Sequence, residues 1–394
     1  MLLYFIGCVL TIGDVNISSP INDSIHYSSE VIVSIDYNMV GLDTIMIEIH
    51  DSLFEYNKTH EYSFSTCNGG NVISKNSWYY NIFTNVGNSN FLSLDNEDIP
   101  ASILVVGGGG RGGFSFGGGG GAGGVLFFET ILNRSSNYSI KVGEMNSGNS
   151  AFSNITAYGG GSGGSYSSWV AVSGGSGGGN AGSGNSAAGG QGVSGQGNSG
   201  GSGSASTGSY GAGGGGGGSM SNGESGVRNS KGGKGGDGVC LSSWLNNISV
   251  GDNGCFGGGG GGGIDSYCTS GYPGNGGIGG GGKGCIGIGC NGDHGIDNSG
   301  GGGGGGSRGP SGGSSPGGNG GSGIVIVKYQ LIRSGKINLP IKNLPSGKYF
   351  LTITTNASMS ISSFSYRFEV AGITKNKNRC VARMIMFMVL FIIN

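Results

Sequence analysis

An apolar run passes directly into a run of glycine in Ile103-Leu104-Val105-Val106-Gly107-Gly108-Gly109-Gly110. An apolar run of this length predicts a strand buried at the centre of a sheet. A second such run, Gly323-Ile324-Val325-Ile326-Val327-Lys328-Tyr329, lies about 220 residues further on. Between the two strands, residues 107–323 hold 87 of the 96 glycines, which leaves 9 for the rest of the 394-residue chain. The two strands therefore bracket a glycine block.

The composition of the chain excludes several classes of protein. Lysine and arginine number 20 and aspartate and glutamate 21, giving a net charge of −1. This balance provides no basic patch for a phosphate backbone, so we expect no nucleic-acid partner. Seven prolines and no sustained Gly-X-Y period exclude a collagen triple helix. A structural or adhesive module remains.

Further β-strands are predicted around and within the glycine block. Apolar and alternating segments occur at 78–84, 90–94, 125–128, 138–142 and 152–158. Together with the two bracketing strands they make a set of about seven. We therefore predict an all-β, jelly-roll-like β-sandwich from which the glycine segments extend.

The glycine runs themselves need an explanation, because glycine loses the most backbone entropy on folding. Runs such as 117–121 or 301–306 would be disordered in isolation. Chains without Cβ atoms, however, can pack side by side as extended helices of three residues per turn, with hydrogen bonds between neighbours. We predict a packed bundle of polyglycine-II helices, with a disordered linker as the alternative.

The flanks of the glycine block alternate in the manner of antiparallel strands. Apolar residues recur at every second position in 31–35 and 45–49, and again in 336–341, 349–353 and 364–370. Neither flank has the roughly seven strands that a sandwich needs. We predict that the flanks pair as one immunoglobulin-like sandwich, 14–67 with 332–370, into which a glycine-rich domain, 68–331, is inserted.

The N-terminus predicts an extracellular or cell-surface location. Residues 1–13 form an apolar run that ends in small residues, which is typical of a secretory signal peptide, although a buried first strand is the alternative. Eight N-x-[ST] glycosylation candidates support this only together with the signal. They are Asn16, Asn22, Asn57, Asn133, Asn137, Asn154, Asn247 and Asn356.

Five cysteines of the glycine block fall within a single stretch of 51 residues. No Cys-x-x-Cys spacing occurs and His294 is the one histidine near them, so the pattern favours disulfides over a zinc site. At least one disulfide is predicted among Cys240, Cys255, Cys268, Cys285 and Cys290. Once Cys8 leaves with the signal the total is odd, and Cys380 is the first candidate for a free or interchain thiol.

The C-terminal segment 371–394 combines a basic linker with a short hydrophobic tail. Its apolar part, 384–393, is shorter than the roughly 20 residues of a membrane helix. The start of a membrane span, a short anchor signal and a packing tail remain open, and the first two imply membrane attachment.

The order of these blocks resembles the glycine-rich domain of phage tail and microbial surface proteins. The resemblance rests on Gly69-Gly70-Asn71-Val72-Ile73, on the bracketing strands with their glycine runs, on Tyr138-Ser139-Ile140-Lys141-Val142-Gly143 and on Asp297-Asn298-Ser299-Gly300. The segment 255–263, with Cys268 and 274–277, is also similar to the glycine-rich ectodomain region of the anaplastic lymphoma kinase and leukocyte tyrosine kinase receptors. That second resemblance implies a β-sandwich with packed glycine helices that binds protein ligands. No kinase-like segment is visible, so we do not expect receptor signalling.

Three short segments of the glycine block match known functional motifs, and chance explains such matches in a sequence so rich in glycine. Gly107-x-Gly109-x-x-Gly112 fits a dinucleotide fingerprint, but no helix-forming sequence follows it. Gly232 to Cys240 matches one calcium-binding nonapeptide without tandem copies. Arg111-Gly112-Gly113-Phe114 resembles a lone RNA-binding arginine-glycine box. We therefore expect no cofactor and no metal.

Aromatic residues inside the glycine block invite two interpretations. They can anchor glycine segments to their neighbours, which is the favoured interpretation, or stack against sugar rings. The residues concerned are Tyr166, Trp169, Tyr210, Phe256, Tyr267 and Tyr272.

The sequence as a whole predicts a non-enzymatic secreted or cell-surface protein that acts in adhesion, recognition or as a scaffold. Its expected partner is a surface protein, a glycan or another copy of itself. The alternative is a ligand-binding ectodomain fragment of a receptor-tyrosine-kinase-like protein that lacks its kinase.

Overall fold

The computed structural model describes residues 13–20, 24–26, 31–40, 42–51, 56–93, 98–166, 170–182, 188–204, 211–265, 271–308, 313, 315–345, 347–357 and 360–370. The predicted signal peptide up to residue 12, and the whole segment 371–394, lie outside these residues. The chain divides into two units. The flank unit takes its described residues from Met1–Thr66, Ser74–Tyr79 and Gln330–Asn394, and the glycine unit takes its own from Cys67–Ile73 and Tyr80–Tyr329.

The described residues form an all-β protein, as predicted, and none of them is helical. The strands are β1 (Gly13–Ser19), β2 (Ser24–His26), β3 (Val31–Val40), β4 (Leu42–Asp51), β5 (Asn57–Ser63), β6 (Asn71–Lys75), β7 (Trp78–Phe83), β8 (Gly87–Leu92), β9 (Ile99–Val106), β10 (Val125–Leu132), β11 (Asn137–Val142), β12 (Ser150–Phe152), β13 (Ile155–Ala157), β14 (Val239–Cys240), β15 (Cys255–Phe256), β16 (Ile324–Tyr329), β17 (Ile332–Ile341), β18 (Gly347–Ala357) and β19 (Ser360–Val370).

The flank unit has the strand order of an immunoglobulin sandwich. One sheet has the order β1-β3-β17, and the other has the order β2-β19-β18-β4-β5. If β1 to β5 are taken as strands A, A′, B, C and C′, and β17 to β19 as E, F and G, the two sheets read A-B-E and A′-G-F-C-C′, as in immunoglobulin domains. The predicted immunoglobulin-like sandwich is therefore confirmed. In chain order the glycine unit stands between C′ and E, where those domains have strand D.

Side-chain alternation builds the core of the flank unit. Val31, Val33 and Ile35 of β3 are buried, and in the register they face Ile341, Leu339 and Ile337 of β17 across the sheet. Ile47 and Ile49 of β4 face Ile353 and Leu351 of β18 in the same way. Since successive side chains in a strand point to opposite faces, this period of two places one aliphatic row of each strand in the core.

A tyrosine corner closes the connection between β17 and β18. Tyr349 lies near the start of β18, and its hydroxyl donates a hydrogen bond to the Pro345 carbonyl oxygen at 2.7 Å. The ring is buried and stacks on Phe368 of β19, with the ring centroids 5.5 Å apart. A tyrosine at the E–F corner that bonds to the backbone a few residues upstream is a hallmark of immunoglobulin-type sandwiches.

A second sandwich, whose strands belong to the glycine unit except at residues 74–79, forms the base of that unit. Its five-stranded sheet has the order β10-β9-β16-β7-β6, and its four-stranded sheet has the order β13-β12-β11-β8. Aromatic rings join the two sheets: Phe128 meets Phe152 at 6.4 Å between centroids, and Phe91 meets Tyr329 at 6.3 Å. The predicted central strand β9 lies between β10 and β16, as expected from its apolar sequence.

The glycine segments form an ordered bundle with a repeat of three residues. In residues 117–124 every third amide donates its hydrogen bond to the same neighbouring segment. Gly117, Gly120 and Gly123 donate to the segment 300–306, Gly118, Gly121 and Gly124 donate to the segment 158–164, and Gly119 and Ala122 donate to the segment 214–217. One run thus turns successively to three neighbours, as a helix of three residues per turn requires. The predicted polyglycine-II packing is confirmed.

Close packing explains why these positions are glycine. A Cβ atom built on Gly119 would overlap the carbonyl group of Gly260, and one built on Gly260 would overlap that of Gly303. Even a methyl group would separate the backbones and break the hydrogen bonds between them. The bundle is therefore a core made of backbone.

Several details differ from the sequence prediction. The single strand predicted at 152–158 is divided between β12, which ends at Phe152, and β13, which begins at Ile155, because the chain reverses at Ser153, which has a φ of 54°. Strands β5 and β6 were not predicted, since their sequences are polar and their side chains are mostly exposed. Their backbone pairing, which the side-chain pattern does not reveal, places them at sheet edges.

Candidate functional site

The candidate site is a cleft at the turn that joins the first two glycine segments. The chain leaves β9 at Gly107, reverses at Ser115 and Phe116, and returns to β10 at Gly124. Ser115 and Phe116 have φ values of 55° and 57°, which turn the chain back on itself. The two segments are joined by bonds from Gly107, Gly110 and Gly113 to residues 124, 121 and 118. The reversal is thus at the end of the bundle opposite β9 and β10.

The cleft has a volume of about 380 Å³ and is formed by three separate segments. Its lining residues are Arg111, Gly112, Phe114, Ser162, Gly163, Ser165, Pro316 and Gly317. Hydrogen bonds hold the segments together: the Gly163 amide donates to the Arg111 carbonyl at 2.8 Å, and the Gly112 amide donates to the Gly318 carbonyl at 2.9 Å. The walls are therefore fixed by backbone contacts.

The side chains of the cleft are a cation, a phenyl ring and two hydroxyls. Arg111 is exposed, and its guanidinium makes no hydrogen bond or ion pair with any residue in the described part of the chain. The ring of Phe114 is also exposed, at 38%. Ser165 Oγ accepts a hydrogen bond from the Phe114 amide at 3.1 Å, which leaves its own proton available to a ligand. This set is suited to binding an anionic group beside an apolar surface.

An arginine stacked on two aromatic rings lies beside the same turn. The Arg308 guanidinium is 5.3 Å from the centroid of Phe116 and 4.6 Å from that of Tyr166. The two rings meet at 6.1 Å, and the Tyr166 amide donates to the Phe114 carbonyl at 3.3 Å. Cation–π contacts of this kind hold Arg308 in place. They also tie the chain around residue 308 to the turn.

A second cluster of polar and aromatic groups lies on the outer face of the five-stranded sheet. Lys328 is buried, and its Nζ donates to the Trp244 carbonyl at 2.6 Å while it lies 5.4 Å from the ring centroids of Tyr80 and Trp244. Burial lowers the pKa of Lys328. Burial also raises the pKa of Tyr80 to about 12, opposed by a hydrogen bond from Asn246. The cluster attaches the loop between β14 and β15 to the sheet.

A family model described as a glycine-rich domain matches residues 87–330, more than half of the chain. The chain belongs to the glycine-rich domain family. Neither a curated protein nor a solved structure matches it. The matched part of the chain contains the cleft, the Arg308 stack, the Lys328 cluster and most of the sandwich beneath the bundle.

Four of the five clustered cysteines form two disulfides within the glycine-rich domain. Cys240 and Cys255 lie directly opposite each other in the β14–β15 pair and are bonded. Cys285 and Cys290 are bonded across a tight loop. Cys268 lies outside the described residues, as does Cys380. Cys67, which stands just before β6, is buried.

The glycosylation candidates are exposed wherever the structure describes their side chains. These are Asn57, Asn133, Asn137, Asn154 and Asn247. Asn16 and Asn356 lie in β1 and β18, where their side chains are not described, and Asn22 lies outside the described residues.

The aromatic candidates divide between the core and the surface. Phe256 is fully buried, whereas Tyr166 is 43% and Tyr272 74% exposed. Trp169, Tyr210 and Tyr267 lie outside the described residues. The contacts of Tyr166 with Arg308 and Phe116 were not predicted, because contacts between residues so far apart in the chain leave no local signal in the sequence.

The motifs considered for cofactors have structural roles. The amides of Gly109 and Gly112, within the apparent dinucleotide fingerprint, donate to Gly321 and Gly318 and are not available to a pyrophosphate. Asp237, in the apparent calcium nonapeptide, is paired with Lys234 at 2.8 Å. Burial by itself would raise the pKa of Asp237, but the hydrogen bonds from Lys234 and the Ile278 amide, with the charge of Lys234, lower it. Over the described ranges, no group of three or more His, Cys, Asp and Glu residues could hold a metal ion. In that same part of the chain, no helix is long and apolar enough to cross a membrane.

Proposed function

We propose that this protein is a non-enzymatic secreted or cell-surface recognition protein, in which the glycine bundle acts as a rigid scaffold that displays its turns to a partner. The single observation that carries the proposal is the three-residue hydrogen-bond repeat of residues 117–124, which ties one glycine run to three neighbours. A spacer needs no such order. A rigid backbone core, by contrast, holds surface residues ready to bind, and this lowers the entropy lost on binding.

The chemistry of the cleft supports recognition rather than catalysis. Its lining residues supply an arginine, a phenyl ring and serine hydroxyls, with neither a carboxylate nor an imidazole to transfer protons. Exposed Arg111 and Phe114 are the types of residue that dominate binding surfaces.

An extracellular location is supported by covalent features. Disulfides persist in oxidising compartments, and two are present in the glycine-rich domain. Exposed sequons such as Asn133 and Asn247 are accessible to glycosylation in the secretory pathway. The signal-like segment 1–13 agrees with this location, and the hydrophobic segment 384–393 is proposed as a means of attachment to a membrane.

The resemblance to known glycine-rich domains supports the same function. The sequence resembles the glycine-rich domains of phage tail and microbial surface proteins and of kinase receptors, and the last resemblance implies a β-sandwich with packed glycine helices that binds protein ligands. A surface protein, a glycan or a second copy of the chain is the proposed partner, and nucleic acid is not.

The proposal is tested by expressing the full chain in a eukaryotic secretory host. We expect the protein in the medium, with both disulfides closed and with N-linked glycans that an amidase removes. Beads coated with it should then bind surfaces that carry intact cells, extracellular matrix or the chain itself, and beads coated with the Gly313→Val variant should bind equally well. Retention of the chain inside cells with reduced cysteines, or coated beads that bind no better than uncoated ones, would contradict the proposal.

A further inference from the structure

The cleft at the end of the glycine bundle has the features of a built binding site. Its volume of about 380 Å³ falls in the lower part of the 300–1,000 Å³ range of small-molecule sites. Its floor is glycine at positions 112, 163 and 317, and a Cβ atom built on each would overlap the backbone of a neighbouring segment. The shape of the cleft is therefore set by backbone packing and exists before a ligand arrives.

The charge of the cleft specifies the charge of the ligand. Arg111 is exposed at its rim, and no partner in the described part of the chain satisfies its five N–H donors. Its backbone, in contrast, is held by the bond from the Gly163 amide. A planar guanidinium on a fixed backbone is suited to bidentate bonds with a carboxylate or a sulfate.

The remaining groups indicate what carries that anion. Phe114 presents an exposed ring in the lining of the cleft, and an aromatic ring packs well on the apolar face of a sugar ring. Ser162 and Ser165 add hydroxyls that can donate to and accept from sugar hydroxyls. A chain with a net charge of −1 and one free arginine in the cleft does not match a polyanionic nucleic acid.

We propose that Arg111, Phe114, Ser162 and Ser165 form a binding site for a saccharide unit that carries a carboxylate or a sulfate group. Arg111 binds the anionic group, Phe114 packs on the sugar ring, and the serines fix its hydroxyls. The site rests on the proposed recognition function and gives that function a ligand class. It also explains the Arg111-Gly112-Gly113-Phe114 motif, in which two glycines between the binding residues let three backbones meet beneath them.

The test measures binding of the full chain to defined oligosaccharides by titration calorimetry. The probes are a sialylated, a glucuronic acid-terminated and a sulfated oligosaccharide, with neutral lactose for comparison. We expect at least one anionic probe to bind and lactose to bind at least tenfold more weakly, and the three anionic probes distinguish the source of the negative charge. A single-stranded RNA oligonucleotide is the fifth probe, and we expect it not to bind.

Variants assign the binding to the cleft. Arg111→Gln and Phe114→Ala should each weaken binding at least tenfold, whereas Arg228→Gln, which removes an exposed arginine from the same domain, should leave it unchanged. Thermal unfolding of Arg111→Gln should match that of the wild type. Absence of binding to all anionic probes, equal binding of lactose, binding of RNA, or an Arg111→Gln effect no larger than that of Arg228→Gln would overturn the site. In each of those cases, the proposed recognition function would still be supported if beads coated with the wild-type chain bind surfaces.

Discussion

In the flank unit, β3 buries Val31, Val33 and Ile35 while Ile32 between them is 51% exposed; in the glycine unit, residues 117–124 are all buried although they carry almost no side chains. The flank unit thus obtains its stability from apolar side chains removed from water. The bundle obtains its order from backbone groups that bond to neighbouring backbones. Two cores in one chain thus have opposite requirements for side-chain volume.

Insertion of a side chain into the backbone core should destabilise the protein more than any other substitution considered below. Gly260→Val places a branched side chain where the Gly303 carbonyl lies, and relief requires the segments to separate. We expect the unfolding transition of the glycine unit to lose about 4 kcal/mol or more, or to disappear, because overpacking here also breaks hydrogen bonds. Differential scanning calorimetry of the full chain measures this change, while the transition of the flank unit should stay where it is.

Gly313→Val is the matched control for that experiment. Gly313 is exposed, and no atom lies within 4 Å of its Cβ position. The control should leave both transitions within about 0.5 kcal/mol of the wild type. Equal stability of the Gly260 and Gly313 variants would show that the bundle does not depend on close backbone approach.

The opposite substitution tests the side-chain core. Ile47 is fully buried and belongs to β4, the strand that lies between β18 and β5 in its sheet. Ile47→Ala should destabilise the flank unit by about 3 kcal/mol, through lost burial and a residual cavity. Ile32→Ala, on an exposed side chain of the same unit, should change little. Chemical denaturation, monitored through hydrogen exchange of the β4 amides, measures the stability of the flank unit in both variants. If Ile47→Ala cost no more than Ile32→Ala, side-chain burial would not be what holds this unit.

A third experiment compares the two disulfides within the glycine unit. The Cys240–Cys255 bond closes a separation of 15 residues and the Cys285–Cys290 bond one of 5. From loop-closure entropy, we expect replacement of the first pair by alanine to cost about 3 kcal/mol and of the second about 2 kcal/mol. Thermal unfolding of the two double variants measures the difference. A larger loss for the Cys285–Cys290 pair would indicate that loop length is not the controlling quantity.

The sequence predicted the parts of this fold that have a side-chain pattern. Alternation in β3, β4 and β18 indicated the flank sandwich, and the apolar β9 and β16 indicated the ends of the bundle. The packing of glycine segments followed from steric reasoning. Which segments lie side by side did not follow, because glycine runs carry no side chains to specify a register.

The candidate site could not be predicted from the sequence for a related reason. Arg111, Ser162 and Pro316 come together from positions about 50 and 200 residues apart, through contacts between featureless glycine runs. The motif Arg111-Gly112-Gly113-Phe114 was visible, but its composition suggested RNA rather than a cleft. The packing of three backbone segments shows that the arginine and the ring line one cleft.

Removal of a single hydroxyl from the side-chain core should have a smaller effect than any of these changes other than the controls. Tyr349→Phe removes the 2.7 Å hydrogen bond to the Pro345 carbonyl and keeps the buried ring that stacks on Phe368. We expect the flank unit to lose about 1 kcal/mol, the usual net contribution of one such bond, and the glycine unit to be unaffected. Tyr62→Phe is the matched control, since the Tyr62 hydroxyl makes no hydrogen bond in the described part of the chain. Urea unfolding of both variants distinguishes the loss of a corner bond from the loss of any tyrosine hydroxyl. Equal losses in the two variants would remove the tyrosine corner from the interactions that stabilise the side-chain core.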